Sequence, residues 1–276
     1  MSTQPCKIKL ILTDIDGTIL PADKKEISER TKRAFALARE HGIVVAPATG
    51  RMYQQLPPMF GHEQLCYESA VATNGAQVYL RGTKIEEVVI PRDKLLRLKE
   101  KVETLDSCGL LVFLSPVPLL VAGKREDLAV HFSSYADICH PVSALPDEPI
   151  VKANVFMAAP EMGTRAIIDM LNREIDGLDF DYPRVGFSNV MLSGHSKAWG
   201  IARLMCALGV SPDETLAFGD AGNDLTMFRQ VGHSVAVANA TPEAASLARW
   251  HTASCEDDAV AQAIEKIVAN EWPFSR

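Results

Sequence analysis

The sequence predicts an α/β protein in which a doubly wound parallel sheet is interrupted by an inserted α+β domain. Strand and helix patterns alternate in the first and last thirds of the 276-residue chain, as a parallel sheet requires. Lys9–Thr13 is an apolar run that ends in acidic residues, which is typical of a parallel strand buried on both faces. The stretch 83–187 mixes strands and helices without that alternation. We therefore predict core segments at 1–82 and 188–276, with 83–187 inserted between them.

The elements predicted in the first and last thirds of the chain mostly alternate in type, and the strands at 77–79 and 85–90 are predicted as a hairpin that runs into the insertion. Strands are predicted at 9–13, 43–48, 69–73, 77–79, 85–90, 215–218 and 234–238, and helices at 27–41, 196–208, 224–230 and 257–269. In the inserted domain, helices are predicted near 92–107, 124–139 and 161–175, and strands near 110–115, 118–122, 151–158 and 178–182. Ligands of such sheets bind beyond the carboxyl ends of the strands, so polar residues that directly follow a strand are the first candidates for a site.

Composition and charge describe an ordinary globular protein with an acidic balance. Charged residues make up 23% of the chain, apolar residues 47%, and the formal net charge is -7. The acidic total argues against nucleic acid or an anionic membrane as the main partner. The six cysteines have no zinc-site spacing, so we interpret them as reduced packing residues of a cytoplasmic protein. Asp14 interrupts any signal-peptide core, and Leu110–Ala122 is too short to span a bilayer and instead predicts two buried strands.

Two carboxylates follow the first predicted strand at the spacing i, i+2. In an extended segment Asp14 and Asp16 point the same way, and Gly17 then lets the chain turn sharply. Two such carboxylates can divide the work of a nucleophile and of an acid and base. A surface Asp-Gly turn is the alternative interpretation. A calcium loop is excluded, because Lys25 occupies the position that requires a glutamate.

Three further groups follow predicted strands or open a predicted helix. Thr49 and Gly50 offer a hydroxyl and a backbone N–H to a phosphoryl oxygen. Lys197 stands at the start of a helix, where the helix dipole disfavours a cation unless an anion is bound nearby. Gly219–Asp224 supplies three oxygen-bearing side chains suited to magnesium. Each group alone has an ordinary alternative, namely a turn, a solvated lysine or a helix cap. Together they are the set that phosphoryl transfer needs.

These motifs resemble those of the haloacid dehalogenase superfamily. The segment DIDGT from Asp14 is similar to its first motif, ATGR to its second, Lys197 to its third and GDAGND to its fourth. The order of the motifs and the long insertion are similar to those of the Cof-type (type IIB) phosphatases, which have a large α+β cap between motifs two and three. Asn74–Ala76 also resembles that subgroup. The resemblance implies a Rossmann-like core with an inserted cap domain.

The resemblance implies a role for each matching residue. The residues implied as catalytic are Asp14, Asp16, Thr49 and Lys197. Those implied in binding phosphate or substrate are Thr49, Gly50, Arg51, Lys197 and Asn223, although a structural salt bridge is an equal alternative for Arg51. Those implied in holding Mg²⁺ are Asp14, Asp16, Asp220 and Asp224, the last either directly or through water or phosphate. Asp14 would attack phosphorus and become an aspartyl-phosphate, while Asp16 would protonate the leaving oxygen and then activate water.

The resulting prediction is a Mg²⁺-dependent phosphatase, a phosphoric monoester hydrolase, that acts on small phosphorylated metabolites. Sugar phosphates are expected by analogy with the family. We expect a cytoplasmic monomer or weak homodimer without nucleic-acid or membrane partners. A phosphotransferase or phosphomutase acting on sugar phosphates would use nearly the same residues. A non-enzymatic phospho-aspartate signalling module is the alternative from another class, although such domains are about half as long as this chain. A dehalogenase would not need Asp16.

Overall fold

The computed structural model describes residues 7–274, which divide into two compact units. The core unit comprises the residues up to Glu86 together with those from Ser196 onwards. The inserted unit comprises Glu87–His195. The order of these segments along the chain, with a single insertion in a core that resumes after it, is the organisation that the sequence pattern predicts.

The strands and helices are numbered here in chain order. The strands are β1 (Leu10–Thr13), β2 (Val44–Pro47), β3 (Ala70–Ala72), β4 (Gln77–Leu80), β5 (Thr83–Glu87), β6 (Cys108–Phe113), β7 (Pro118–Ala122), β8 (His140–Pro141), β9 (Lys152–Met157), β10 (Leu178–Phe180), β11 (Phe187–Leu192), β12 (Thr215–Gly219), β13 (His233–Ala236) and β14 (Trp250–His251). The helices are α1 (Glu29–Glu40), α2 (Arg92–Glu103), α3 (Arg125–Ala129), α4 (Ser133–Ile138), α5 (Glu161–Glu174), α6 (Lys197–Leu208), α7 (Leu225–Gln230), α8 (Pro242–Leu247) and α9 (Ala259–Val268).

The core unit contains a five-stranded parallel sheet in the order β14-β13-β12-β1-β2. Successive residues of β1 face opposite sides of this sheet. Ile11 packs in an apolar cluster with residues of α1 and α9, whereas Leu10 and Leu12 pack in another with residues of α6 and α7. Each such fully buried side chain stabilises the fold by about 1.5–3 kcal/mol. Helices therefore cover both faces, and the predicted doubly wound sheet is confirmed. A second, three-stranded sheet, β3-β4-β5, contains the predicted hairpin strands.

The inserted unit is an α+β structure with its own apolar core. Its six strands follow the order β10-β11-β9-β6-β7-β8 and pair antiparallel except for β7 with β8. Apolar residues of α2 and α5, such as Leu98 and Leu171, pack with one face of the sheet. The apolar stretch Leu110–Ala122 forms most of the antiparallel pair β6 and β7, as predicted. None of the helices between residues 7 and 274 is long and apolar enough to cross a membrane.

Some elements differ from the sequence prediction. The helix predicted at 124–139 is two short helices, α3 and α4. The backbone leaves the helical region at Phe132, whose ring centroid lies 4.2 Å from that of Phe187. The elements β8, β11, α8 and β14 were not predicted. Because β11 pairs with β9 through four successive residues, the inserted unit extends to His195. The boundaries predicted after 82 and after 187 therefore differ from those of the structure.

The cysteine thiols of the described residues are all free. Cys66, Cys108, Cys139 and Cys255 are buried and Cys206 is exposed. Burial raises the pKa of the Cys66 and Cys108 thiols to about 11 and that of Cys255 to about 12. Such thiols carry almost no thiolate at neutral pH, so they serve in packing rather than as nucleophiles. Cys6 lies outside the described residues.

One buried imidazole should make the stability of the core depend on pH. His233 is held by a hydrogen bond from Nε2 to the carbonyl oxygen of Asp213 at 3.0 Å, and its ring packs edge-on against Trp272. Burial lowers the pKa of His233, with a smaller contribution from Arg249. As the pH falls, His233 therefore binds a proton in the unfolded chain at a higher pH than in the folded chain. The free energy of unfolding should fall as pH drops below about 6.5, by at most about 1.4 kcal/mol per pH unit from this group.

His233→Gln should flatten this dependence, because glutamine keeps a donor for Asp213 and does not titrate. The measurement is urea unfolding of both proteins between about pH 7.5 and 5. Equal slopes in the two proteins would show that His233 is not the titrating group.

Candidate active site

The candidate residues emerge at one edge of the parallel sheet. Asp14 directly follows β1, Asp220 directly follows β12, and Thr49 follows β2 after one further residue. Because β1 lies between β12 and β2, the three chain segments leave the sheet side by side. The N–H of Asp14 donates to the carbonyl of Phe218 at 2.9 Å, which fixes the first segment against the end of β12. This is the edge at which parallel sheets bind ligands.

The buried ammonium of Lys197 forms ion pairs with one aspartate of the first motif and one of the fourth. Its ammonium Nζ donates to Oδ1 of Asp14 and to Oδ1 of Asp224, each at 2.7 Å. The side chain is fully buried, and the two carboxylates are 7% and 0% exposed. Burial would lower the pKa of Lys197, but the Asp14 and Asp224 carboxylates raise it above its ordinary value. Three residues from distant parts of the sequence are thus brought into direct contact, as predicted for Asp14 and Lys197.

Asp224 also orders the loop that positions Asp220. Its second oxygen, Oδ2, accepts hydrogen bonds from the backbone N–H groups of Asp220 at 2.9 Å and Ala221 at 3.1 Å. On the other side, the hydroxyl of Thr18 donates to Oδ1 of Asp220 at 2.7 Å. Gly17 has a left-handed φ of 85°, and a Cβ there would lie 2.7 Å from Oδ2 of Asp220. The Asp-Gly turn therefore closes directly on the Asp220 carboxylate.

The donor set fits a divalent cation. Carboxylate oxygens of Asp14, Asp220 and Asp224 lie within 4.8 Å of one another. These three carboxylates face one ammonium, that of Lys197, so the group has an excess of negative charge. Burial raises the pKa of Asp14 well above its usual value, and the neighbouring carboxylates of Asp224 and Asp220 add to this against the opposing effect of Lys197. Burial, followed by the charge of Asp224, likewise raises the pKa of Asp220 to about 7. A hard cation with oxygen ligands would relieve this excess.

Asp224 is the member of this group least able to accept a further ligand. Both of its oxygens already accept hydrogen bonds, from Lys197 and from the 220–221 backbone. In contrast, Oδ2 of Asp14 accepts no hydrogen bond from any residue between 7 and 274. Asp224 therefore supports Asp220 and Lys197 through these contacts. The predicted part of Asp224 at a cation, either direct or through water or phosphate, stays a prediction.

Asp16 and Arg51 form a bidentate ion pair in the loops that also carry Asp14 and Thr49. The guanidinium donates to both carboxylate oxygens of Asp16, at 2.7 Å from Nε and 2.6 Å from the terminal nitrogen. Both side chains remain about one-third exposed. For Arg51 the sequence leaves a substrate contact and a structural salt bridge open, and its guanidinium is ion-paired with Asp16 in the structure. Arg51 thus fixes the direction of the predicted acid and base.

The loop after β2 presents the remaining predicted phosphate ligands. The hydroxyl oxygen of buried Thr49 accepts a hydrogen bond from the N–H of Arg51 at 3.2 Å. Its proton is not donated to any group among the described residues. Gly50 is half-buried in the same loop. Asn223, in the short 3-10 turn Gly222–Asp224, is half-buried and forms no hydrogen bond with these side chains in the described part of the chain.

Two further polar residues, which the sequence does not predict, support the first and fourth motifs. Thr18 holds Asp220, as described, and the side-chain amide of Asn239 donates to the carbonyl of Gly17 at 2.7 Å. The Oδ1 of Asn239 accepts from the N–H of Cys255. Thr18 lies within the motif DIDGT, so its position was a signal that could have identified it. Asn239 is a single polar residue in the segment Val237–Ala240, and nothing in the local sequence indicates that it contacts Gly17.

Comparison with known proteins assigns the family. The sequence profile of haloacid dehalogenase-like hydrolases matches residues 11–264. The chain belongs to this family. The match spans both core segments and the insertion, so the resemblance seen in the four motifs is confirmed over nearly the whole chain.

Individual relatives agree with the predicted enzyme class, phosphoric monoester hydrolase. The chain is 27% identical to the putative phosphatase YxeH of Bacillus subtilis, over 94% of this chain and 98% of that protein. It is 25% identical to 5-amino-6-(5-phospho-D-ribitylamino)uracil phosphatase YbjI of Escherichia coli, over 98% and 99% of the two chains. The fold matches that of BT4131, a subclass IIB sugar phosphatase, with a TM-score of 0.79, 21% identity, and coverage of 93% and 98%. The predicted type IIB architecture is thereby confirmed.

Proposed function

We propose that the protein is a Mg²⁺-dependent phosphatase that hydrolyses small phosphorylated metabolites through an aspartyl-phosphate on Asp14. The observation that supports this most strongly is the position of Lys197, whose ammonium lies 2.7 Å from the carboxylates of both Asp14 and Asp224. The lysine engages one oxygen of Asp14 and leaves the other available as the nucleophile. A carboxylate nucleophile beside a fixed positive charge is suited to attack on a phosphoryl group.

In the first half of the proposed reaction, Oδ2 of Asp14 forms a bond to phosphorus as the bond from phosphorus to the ester oxygen breaks. Asp16 gives its proton to that oxygen, so the alcohol leaves as a neutral molecule. The Thr49 hydroxyl and the Gly50 N–H donate to phosphoryl oxygens, and Lys197 neutralises charge on the nucleophile. The ion pair with Arg51, at 2.6 and 2.7 Å, holds Asp16 as a carboxylate before substrate binds. Asp16 therefore has to exchange this contact for a proton from solvent before it acts as the acid.

In the second half, water attacks the phosphorus of the aspartyl-phosphate and loses its proton to Asp16. This step releases inorganic phosphate and restores the carboxylate of Asp14. The residues that would hold Mg²⁺ are Asp14, Asp220 and the backbone carbonyl of Asp16, with Asp224 and Asn223 in supporting positions. When bound, Mg²⁺ would supply neutralisation and orientation of the phosphoryl oxygens.

We further propose that the inserted unit Glu87–His195 acts as a cap that selects the substrate. Sugar phosphates and related polyol phosphates are the substrate class we favour. The support is analogy with the sugar phosphatase of similar fold and with YbjI, whose substrate is named as a phospho-ribityl compound. A phosphomutase or phosphotransferase is the second candidate, because it would use the same core residues.

The direct test is a screen of phosphorylated metabolites with Mg²⁺, read as release of inorganic phosphate. Asp14→Asn serves as the blank for contaminating phosphatases. Phosphate release from one class of ester would support the proposal. If the phosphoryl group is recovered only on a different hydroxyl of the substrate, the result would favour a phosphomutase. If no ester in the screen loses its phosphoryl group, both the phosphatase and the phosphomutase would be contradicted.

Removal of divalent cations should lower turnover by about 10³-fold or more, which corresponds to the several kcal/mol that such an ion contributes. Excess chelator should abolish phosphate release, and added Mg²⁺ should restore it. Mg²⁺ should also raise the Tm of the wild type, because it binds the folded state alone. Asp220→Asn should weaken this rise in Tm. Full activity in excess chelator would contradict the role of the cation.

A further inference from the structure

We propose that the turn Thr73–Gly75 is a positioning element that fixes the distance between the phosphate-binding loop and the helix of Lys197. This inference rests on the function proposed above, because the two segments supply Thr49 and Lys197. The turn lies between β3 and β4, outside the four motifs. It contacts both segments through the backbone, and the side-chain amide of Asn74 also packs on Gly50.

The first contact joins the turn to the loop after β2. The N–H of Thr73 donates to the carbonyl of Arg51 at 2.8 Å, and the N–H of Asn74 donates to the carbonyl of Thr49 at 2.9 Å. A Cβ placed on Gly50 would lie 3.3 Å from both polar atoms of the Asn74 amide, so this amide packs directly on Gly50. The turn and the proposed phosphate loop therefore form one hydrogen-bonded piece.

The second contact joins the turn to the first turn of α6. A Cβ on Gly75 would lie 2.1 Å from the carbonyl oxygen of Ser196, the residue before Lys197. A Cβ on Gly200 would lie 2.7 Å from Cα of Gly75 and 2.7 Å from a methyl group of Val71. Both glycines are thus required for a close approach of two backbones, and backbone atoms cannot yield as the end of a long side chain can.

The backbone of the turn is left-handed at Thr73, a conformation that a threonine disfavours. Thr73 and Asn74 have left-handed φ values of 51° and 50°, and this conformation is uncommon for a β-branched residue such as threonine. The Oδ1 of buried Asn74 has no hydrogen-bond partner among residues 7–274. Strain and unpaired buried polar groups persist where surrounding structure enforces them, and they occur frequently at functional sites.

The position of Lys197, and with it the rate of catalysis, should therefore depend on the turn Thr73–Gly75. The ammonium of Lys197 reaches Asp14 and Asp224 at 2.7 Å only if the first turn of α6 stays in place. Ser196 occupies the N-cap position of this helix without a side-chain capping bond, so its hydroxyl does not fix the helix start. The packing of Gly75 against Ser196 and Gly200 provides that constraint instead.

Gly200→Ala tests the inference with a single methyl group. In a helix without this contact, the exchange would stabilise the protein, because alanine has the higher helix propensity. Here we expect kcat to fall by about 100-fold, as for a misplacement of about 1 Å, with little change in KM. The matched control is Ala207→Gly at an exposed position of the same helix, which should lower Tm and leave kcat unchanged.

A crystal structure of Gly200→Ala provides a readout independent of activity. We expect the distance from Nζ of Lys197 to Oδ1 of Asp14 to exceed the 2.7 Å of the wild type. Wild-type kcat together with wild-type geometry would overturn the inference. If the wild type itself hydrolyses no phosphate ester, the proposed function fails, while the crystal structure still decides whether the turn positions Lys197.

Asn74→Gly covers the case in which Gly200→Ala does not fold. Glycine accepts the left-handed backbone and removes only the amide that packs on Gly50. We expect a loss of about 10-fold or more in kcat/KM with a Tm close to that of the wild type. An unchanged kcat/KM in a folded Asn74→Gly would overturn the inference for the phosphate-loop side of the turn.

Discussion

Asp14→Asn should lower turnover by about 10⁴-fold or more, the scale seen when the nucleophile of a hydrolase is removed. The amide has no negative charge and is a poor nucleophile towards phosphorus. Its oxygen can still accept the hydrogen bond from Lys197, which in the wild type is 2.7 Å long. The loss should therefore appear in kcat rather than in the integrity of the site. The measurement is phosphate release with the best ester found in the screen.

The same substitution should leave the folded state at least as stable as the wild type when no divalent cation is present. Burial and the neighbouring carboxylates raise the pKa of Asp14, which means that its charged form is disfavoured in the fold. A neutral amide of the same shape avoids that cost. Urea unfolding in excess chelator should give an equal or higher midpoint for Asp14→Asn. A large loss of stability would show that turnover was lost through unfolding.

Asp258→Asn is the matched control for an aspartate outside the site. Asp258 accepts a hydrogen bond from the hydroxyl of Ser28 at 2.6 Å and connects α1 to the start of α9. Its substitution should lower stability modestly and leave turnover unchanged. Mass spectrometry of acid-quenched protein adds a second test. A phosphoryl adduct should be found on the peptide that contains Asp14, and its absence from an actively turning-over enzyme would contradict the covalent mechanism.

The residues that sequence predicts well are those that directly follow a buried strand. Asp14, Thr49 and Asp220 each come after an apolar run, and parallel strands bring their carboxyl ends to one edge regardless of the sequence between them. Lys197 has no such local signal. Its position at a helix start is unusual, but only the resemblance to a family connected it with Asp14.

The supporting contacts could not be predicted, because they depend on distances between segments far apart in the chain. The hydrogen bond from Thr18 to Asp220 spans 202 residues, and that from Asn239 to Gly17 spans 222. The need for glycine at Gly200 arises from a neighbouring backbone, and nothing in the pattern of α6 indicates it. Local propensity would even favour alanine there.

The end of the insertion was misplaced for a related reason. The strand β11 has polar residues in its interior, so it lacks the apolar signature of a buried strand. The N–H and side-chain amide of Asn189 donate to the carboxylate of Asp181, and Asn189 Oδ1 accepts from Asn154. These partners satisfy the buried polar groups and allow the strand to form inside the unit.

Lys197→Met should lower the free energy of unfolding by about 3–5 kcal/mol in the absence of divalent cations, the cost of removing one partner of a buried ion pair. Two carboxylates that are 7% and 0% exposed would lose their only close ammonium among the described residues. Methionine fills a similar volume, so the loss reflects charge rather than a cavity. Turnover should also fall, because the negative charge on Asp14 and on the phosphoryl group would no longer be offset. Urea unfolding in excess chelator measures the first effect, and phosphate release measures the second.

Lys32→Met is the matched control, because Lys32 is also a buried lysine between carboxylates. Its ammonium contacts Glu26 and Glu29, whose side chains are 46% and 71% exposed. When Lys32 is removed these glutamates regain full hydration, so the loss of stability should be nearer to the 0–1 kcal/mol of a surface pair. Turnover should be unchanged, because neither Lys32 nor these glutamates contact the proposed site residues.

The response to Mg²⁺ separates the two lysines further. A cation between Asp14 and Asp220 would neutralise part of the charge that Lys197→Met leaves uncompensated, so added Mg²⁺ should recover part of the lost stability. It should recover none in Lys32→Met, whose glutamates are already solvated. Equal losses for the two variants, with the same response to Mg²⁺, would mean that Lys197 is a structural lysine like any other. A larger loss that Mg²⁺ partly reverses would instead tie the lysine and the cation to the same carboxylates.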